Sequence, residues 1–281
     1  MKGKTIKIND HSIFYREAGN PENETILLLH GFPSSSHMYR EIINVLSYKY
    51  HLIAPDYIGF GLSDMPLTSE FDYTFENITK SISDFIEALG LKSFYLLMQD
   101  YGGPIGFRIA ITHPNYIKGL IIQNANAYME GIGEWGMKIG ALKKNNDIEG
   151  LLKFKDYLIS LEGLKDQYIN EASQPDNIDP ISYLTDNAFL NRINAKEIQT
   201  ALFSDYGSNF PKYAEWQDYF KNQQPKTLVL WGKNDRYFNQ NGAKAYSKDL
   251  QNIETHLFEG GHFMLEEYAK EATELITNFI N

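Results

Sequence analysis

Residues 94–104 read Phe-Tyr-Leu-Leu-Met-Gln-Asp-Tyr-Gly-Gly-Pro. The apolar run from Phe94 to Met98 has the character of a buried strand and stops at the polar pair Gln99-Asp100. Gly102 and Gly103 permit a tight turn, Pro104 suits the first turn of a helix, and Ile105 to Ile111 continues as that helix. Strand, tight turn and helix together form a nucleophile elbow, which exposes one side chain on a strained turn. Serine commonly occupies that position in G-x-S-x-G; here the register reads M-Q-D-Y-G and the position falls on Asp100.

Outward from this stretch, short buried strands alternate with amphipathic helices. Glu24 to Leu29, His51 to Ala54 and Ile117 to Ile122 read as strands. Phe75 to Leu89 carries Ile78, Ile82, Phe85, Ile86 and Leu89 on one helical face. This alternation requires an α/β fold with a mostly parallel sheet covered by helices on both faces. The rhythm breaks from about Ala127 to Gln224, where only short helices are expected, and resumes at Thr227 to Trp231. The expected organisation is therefore a core over 1–126, a helical cap over 127–224 and the rest of the core over 225–281.

Composition narrows the chemistry. The 281 residues carry a formal net charge of −10 and no basic cluster, so nucleic acid and anionic membrane surfaces are not expected partners. There is no cysteine, which removes disulfides, thiolate catalysis and cysteine-based metal sites. No metal-ligand spacing is present, so neither a metal nor a cofactor is expected. The N-terminus lacks an apolar signal region and no run approaches a membrane span, so the expectation is a cytoplasmic protein, monomer or homodimer, acting on a small molecule.

Three residues lie just past strand ends in the order Asp100, Asp235, His262. Ligands of open α/β sheets bind outside the carboxyl ends of the strands, so the three can converge despite their separation. Nucleophile, acid, histidine is also the chain order of the α/β-hydrolase triad. Asn124 and Asn126 lie where some triads carry the acid after the preceding strand, but an amide cannot hold the charge, and Glu130 lies several residues farther on. Asp235 is therefore the expected acid.

With these residues in place, the chain resembles α/β-hydrolase fold enzymes of the haloalkane dehalogenase and epoxide hydrolase group. The resemblance rests on the elbow, His30-Gly31-Phe32-Pro33, Ala54-Pro55-Asp56, Gly59-Phe60-Gly61-Leu62-Ser63-Asp64 and Gly261-His262-Phe263. It implies that Asp100, ionised without help from a base, displaces a leaving group at saturated carbon and becomes an alkyl ester. His262, oriented by Asp235, would activate the water that attacks that ester, and the backbone N–H groups of Phe32 and Tyr101 would hold the oxyanion.

The leaving group divides the two activities. Dehalogenases of this group cradle halide with an indole N–H directly after the nucleophile, where this chain has Tyr101, and with a further donor that Phe32 does not supply. Trp135 and Trp216 lie in the helical stretch, where packing is the commoner role for an indole. Epoxide hydrolases use lid tyrosines as general acids, and Tyr206, with Tyr168 as its partner, fits those positions best. Asp72-Tyr73-Thr74-Phe75-Glu76, Gln99 and Asn124-Ala125 are closer to the dehalogenases. The donor chemistry favours an epoxide; carbon–halogen hydrolysis by the same triad is the alternative, and a non-catalytic binding protein on the same fold is the alternative of another class.

Overall fold

A computed structural model describes all residues, 1–281. In chain order the elements begin β1 (Lys2–Ile8), β2 (His11–Ala18), β3 (Thr25–Leu29), α1 (Arg40–Leu46), β4 (His51–Pro55), α2 (Phe75–Ala88), β5 (Phe94–Gln99), α3 (Gly102–Thr112) and β6 (Ile117–Gln123). Six helices follow without an intervening strand: α4 (Glu134–Lys144), α5 (Ile148–Leu158), α6 (Leu161–Lys165), α7 (Ile181–Leu190), α8 (Ala195–Asp205) and α9 (Tyr213–Gln223). The chain closes with β7 (Thr227–Gly232), α10 (Gln240–Ala245), β8 (Ile253–Phe258) and α11 (Leu265–Ile280).

The eight strands form one sheet in the order β1-β2-β4-β3-β5-β6-β7-β8. Only the pairs β1–β2 and β2–β4 are antiparallel. Every residue of β3, β4 and β7 is buried, as expected of parallel strands with helices on both faces. On α2, Ile78, Ile82, Phe85 and Ile86 are buried, and the Thr74 hydroxyl caps the helix by accepting the Asn77 N–H at 3.2 Å. The burial of such an apolar face, rather than helix propensity, is what holds a helix of this length.

The six-helix insert lies between β6 and β7, beyond the carboxyl ends of the parallel strands. It meets the core at several polar points. Arg192 donates to the backbone carbonyls of Gly61 and Ser63, and Arg40 forms a two-pronged pair with Glu266 at 2.7 and 2.9 Å while also reaching Ser182 on α7. A five-residue π turn over Asp166–Asn170 interrupts the regular helices of the insert. No helix of the chain is long and apolar enough to cross a membrane.

Candidate active site

β5 lies near the middle of the sheet, and its end delivers Asp100 in the left-handed region with φ of 47°. A non-glycine residue in that region is strained, and the surroundings hold it there by close packing. A Cβ on Gly102 would come within 2.1 Å of the Leu29 carbonyl oxygen, and one on Gly31 within 2.5 Å of the Asp100 Cβ. These two glycines let the loop after β3 and the first turn of α3 close around the aspartate.

The Phe32 N–H donates to Asp100 Oδ2 at 2.8 Å, and the Tyr101 N–H supports the same carboxylate. Burial raises the Asp100 carboxyl to about 6, against the opposing pull of His262 and these two N–H groups. Asp235 and His262 sit on the loops after β7 and β8, with Nδ1 of the imidazole 2.8 Å from Asp235 Oδ2 and both side chains almost fully buried. Burial works against the imidazolium, but Asp235, then Asp100 and Glu171, outweigh it and push His262 to about 9.

Asp235 is held from several sides. Its Oδ1 accepts the backbone N–H groups of Tyr237 at 2.7 Å and Phe238 at 3.0 Å, and its Oδ2 also accepts the Asn124 amide at 2.7 Å. Asn124, considered above only as a place lacking an acid, is thus a partner of the acid. Its own carbonyl oxygen accepts the Gly232 N–H and the Gln123 amide, which fixes which end of the amide faces Asp235. Glu130 lies exposed and paired with Lys248, away from this group.

The far imidazole nitrogen, Nε2, lies 2.8 Å from the side-chain amide of Gln99. In the neutral imidazole with its proton on Nδ1, directed at Asp235, Nε2 carries a lone pair and accepts from that amide; the imidazolium has no such lone pair. Glu171, from the insert, accepts the His262 backbone N–H at 2.9 Å. Neither Gln99 nor Glu171 stood out as a site residue in the sequence. Gln99 counts in the sequence only as part of the resemblance to dehalogenases, and Glu171 carries no motif at all. No cluster of three His, Asp or Glu side chains converges in a way that would hold a metal ion.

Above Asp100 lies a cavity of about 410 Å³, walled largely by apolar side chains. One wall is the face of α4 carrying Gly136, Met137, Ile139 and Gly140; Phe32, Tyr101, Tyr237 and Phe238 enclose the floor. Tyr206 lines this cavity, its ring centroid 5.8 Å from that of Tyr101, and its hydroxyl shares a hydrogen bond with Tyr213. Tyr168 does not. It is buried between insert and core, stacked on Phe263 at 3.9 Å, and donates its hydroxyl to Asp186 at 2.6 Å. The expectation that Tyr168 partners Tyr206 over the substrate is corrected on this point: its hydroxyl is committed to a buried carboxylate. The tyrosines lining the cavity are Tyr101, Tyr206 and Tyr237, and the Tyr237 hydroxyl donates to Gln167 at 3.1 Å.

The indoles are elsewhere. Trp135 packs against Tyr237 and under the Arg236 guanidinium, 3.8 Å from the ring centroid. Trp216 is fully buried against Phe107 and Tyr213. Neither lines the cavity.

The family model described as the alpha/beta hydrolase fold matches residues 24–269. An uncharacterized hydrolase of Saccharomyces cerevisiae is 36% identical over 279 residues, covering 98% of this chain and 96% of its own length. A cis-3-alkyl-4-alkyloxetan-2-one decarboxylase of Shewanella oneidensis is 26% identical over 298 residues, covering 100% of this chain and 88% of its own. A haloalkane dehalogenase of Bradyrhizobium diazoefficiens is 40% identical over 121 residues, which is 43% of this chain and 36% of that one.

Proposed function

The chain belongs to the alpha/beta hydrolase fold family and has haloalkane dehalogenase-like homologues, and from that premise we propose that it hydrolyses a small, largely apolar electrophile through a covalent ester on Asp100. The observation that carries this reading is the set of partners around one carboxylate. Asp100 stands at a left-handed elbow with the Phe32 N–H on Oδ2, beside a buried His262–Asp235 pair, at the floor of an apolar cavity.

With Oδ2 engaged by the Phe32 N–H, Oδ1 is the oxygen left to attack. It forms a bond to a saturated carbon, and the carbon–leaving-group bond breaks. Water then gives a proton to Nε2 of His262 and adds to the ester carbonyl carbon. Oδ2 becomes the oxyanion, facing the N–H groups of Phe32 and Tyr101. Collapse of that intermediate breaks the Cγ–Oδ1 bond: the alkoxide leaves with Oδ1 and takes the proton from Nε2 to become the alcohol, Asp100 keeps the oxygen of water and sheds the remaining proton, and Asp235 steadies the imidazolium until His262 is neutral again. The insert acts as a cap that keeps bulk water from the ester, which strengthens each of these interactions.

A leaving oxygen of a strained ring, as in an epoxide, suits the cavity best. The cavity lining includes three tyrosines besides Lys143, and Tyr206, protonated at neutral pH because burial holds its phenol above the usual range, offers a hydroxyl that can donate to an alkoxide as it forms. A relative 26% identical over the whole of this chain is named as a decarboxylase of an oxetan-2-one, so a strained oxygen ring is among the substrates that relatives accept. Carbon–halogen hydrolysis is the second reading, supported by the segment shared with the Bradyrhizobium dehalogenase.

The test replaces His262 with Gln, which stalls the second step. The variant is mixed with a terminal epoxide or a bromoalkane, digested and weighed. An alkyl mass on the peptide bearing Asp100 is expected, and the reagent that labels faster identifies the leaving group. A folded variant that binds both reagents yet carries no adduct would refute the ester mechanism.

A further inference from the structure

Among the contacts by which the insert reaches the loops of the triad, one buried carboxylate touches the histidine itself. Glu171 follows the π turn directly and is 3% exposed. Its Oε2 accepts the His262 N–H at 2.9 Å and its Oε1 accepts Nε of Arg236 at 2.7 Å. Arg236 is held in turn by the Asp166 carboxylate at 3.0 Å and by the face of Trp135. The Asn234 amide donates to the Glu171 backbone carbonyl at 3.2 Å. A Cβ on Gly261 would come within 2.1 Å of the Glu171 Cβ, so the chain before His262 is bare where the insert arrives.

A seal between insert and core does not require a charge. Taking a carboxylate out of water is expensive unless every lone pair finds a donor, and an apolar side chain fills such a space at less cost. Here both oxygens are used, and both donors belong to the loops that carry Asp235 and His262. We propose that Glu171 is a positioning residue for His262: it ties the seated insert to the backbone of the histidine and sets a negative charge beside the imidazole. The proposal rests on reading His262 as the base. It means that water is activated only with the insert in place, because the group that steadies the base is carried by the insert itself.

The charges around the imidazole are few. Asp235 lies on Nδ1, Asp100 lies across the site, and Glu171 stands behind the backbone, partly balanced by Arg236. Asp166 faces the other side of Arg236. Gln99 and the Tyr237 ring, 5.0 Å away, complete the surroundings without charge at neutral pH.

Two variants of the full chain, Glu171→Gln and Arg236→Gln, test this by histidine ¹⁵N NMR titration without any substrate. Glu171→Gln removes the negative charge, so the His262 midpoint is expected to fall by about one unit. Arg236→Gln removes the balancing cation and leaves the Glu171 bond to His262, so the midpoint is expected to rise. A merely structural role does not produce opposite shifts. Where turnover of an epoxide or bromoalkane is measurable, Glu171→Gln is expected to slow ester hydrolysis about 10–100-fold and to leave ester formation within about threefold. Midpoints that stay put, or that move the same way in both variants, overturn the proposal. Because the titration needs no reaction, a protein that turns over neither reagent but shows the opposed shifts would retain the positioning role while losing the proposed chemistry.

Discussion

Replacing Asp235 by Asn separates the two tasks assigned to that residue, holding a charge and holding a tautomer. At a charge separation of ~4 Å and an effective permittivity of ~20, the Asp235–imidazolium attraction is about 4 kcal/mol. That is about three units of pKa at ~1.4 kcal/mol each, so His262, now at about 9, should titrate near ~6 in the variant. On charge alone the variant would be the readier base at pH 7. The hydrogen bonds predict the reverse. Oδ1 of Asp235 faces two backbone N–H groups and Oδ2 faces Nδ1 and the Asn124 amide, so the new NH₂ must oppose donors on one side. Asn124 cannot turn without breaking its bonds to Gly232 and Gln123. The clash with the histidine, though not that with Asn124, is relieved if the imidazole moves its proton to Nε2, the nitrogen that must take one from water. A wrong tautomer of this kind lowers turnover about 10⁴-fold in a serine-protease triad. Rapid-quench mass measurement with an epoxide or bromoalkane should therefore show one equivalent of alkylated Asp100 formed at close to the normal rate, followed by a hydrolysis step slowed by about three to four orders of magnitude. Turnover within tenfold of the unaltered protein, or loss of alkylation in a folded variant, refutes the reasoning.

Tyr206→Phe should lower kcat on an epoxide about 10²–10³-fold with little change in KM. On a bromoalkane, ester formation should change by less than about threefold, since halide needs no proton; equal losses on both would return Tyr206 to a packing role. A second expectation concerns stability. Asp100 titrates at about 6, Asp186 at about 7 and His262 at about 9, each above its unfolded value, and burial raises Glu171 in the same direction. Between the unfolded and folded values the native state holds protons that the unfolded chain has released, so stability falls as pH rises through each window. The carboxyl windows run from about 4 to 7 and that of His262 from about 6.5 to 9. The urea midpoint should be higher at pH 6 than at pH 9, and Asp186→Asn should narrow the gap. A midpoint that rises toward pH 9 contradicts the assignment.

The sheet was legible because the inner parallel strands are apolar runs ended by glycine, proline or a polar pair, with only the edge strand β8, Ile-Glu-Thr-His-Leu-Phe, half-exposed, and because parallel strands leave their last residues beside one another. That is why Asp100, Asp235 and His262, each a residue or more past a strand end, could be placed together from the sequence alone. The insert was legible as helix and little more. Tyr168 sits inside a π turn, where the α-helical spacing that assigns a face no longer applies, so its direction could not be read from its neighbours. Glu171 acts through Arg236 and His262, residues 65 and 91 positions away, and no local pattern encodes such a pair. Gln99 was visible as a neighbour, but its bond to His262 depends on how the elbow and the last loop approach one another.

Besides the exposed Met1, the rim of the cavity is where an oxidant meets this protein. Without cysteine, the sulfur of the chain is in seven methionines, and Met38, Met98 and Met264 are buried. Met129 and Met137, 59% and 61% exposed, both line the cavity. Peroxide would turn these thioethers into polar sulfoxides at an otherwise apolar entrance, leaving the triad beneath untouched. Such damage would show as a higher KM for apolar substrates at constant kcat, reversed by methionine sulfoxide reductase; a fall in kcat alone would place the lesion elsewhere. An enzyme with no thiol to lose would still carry a redox-sensitive threshold, located at its door rather than at its chemistry.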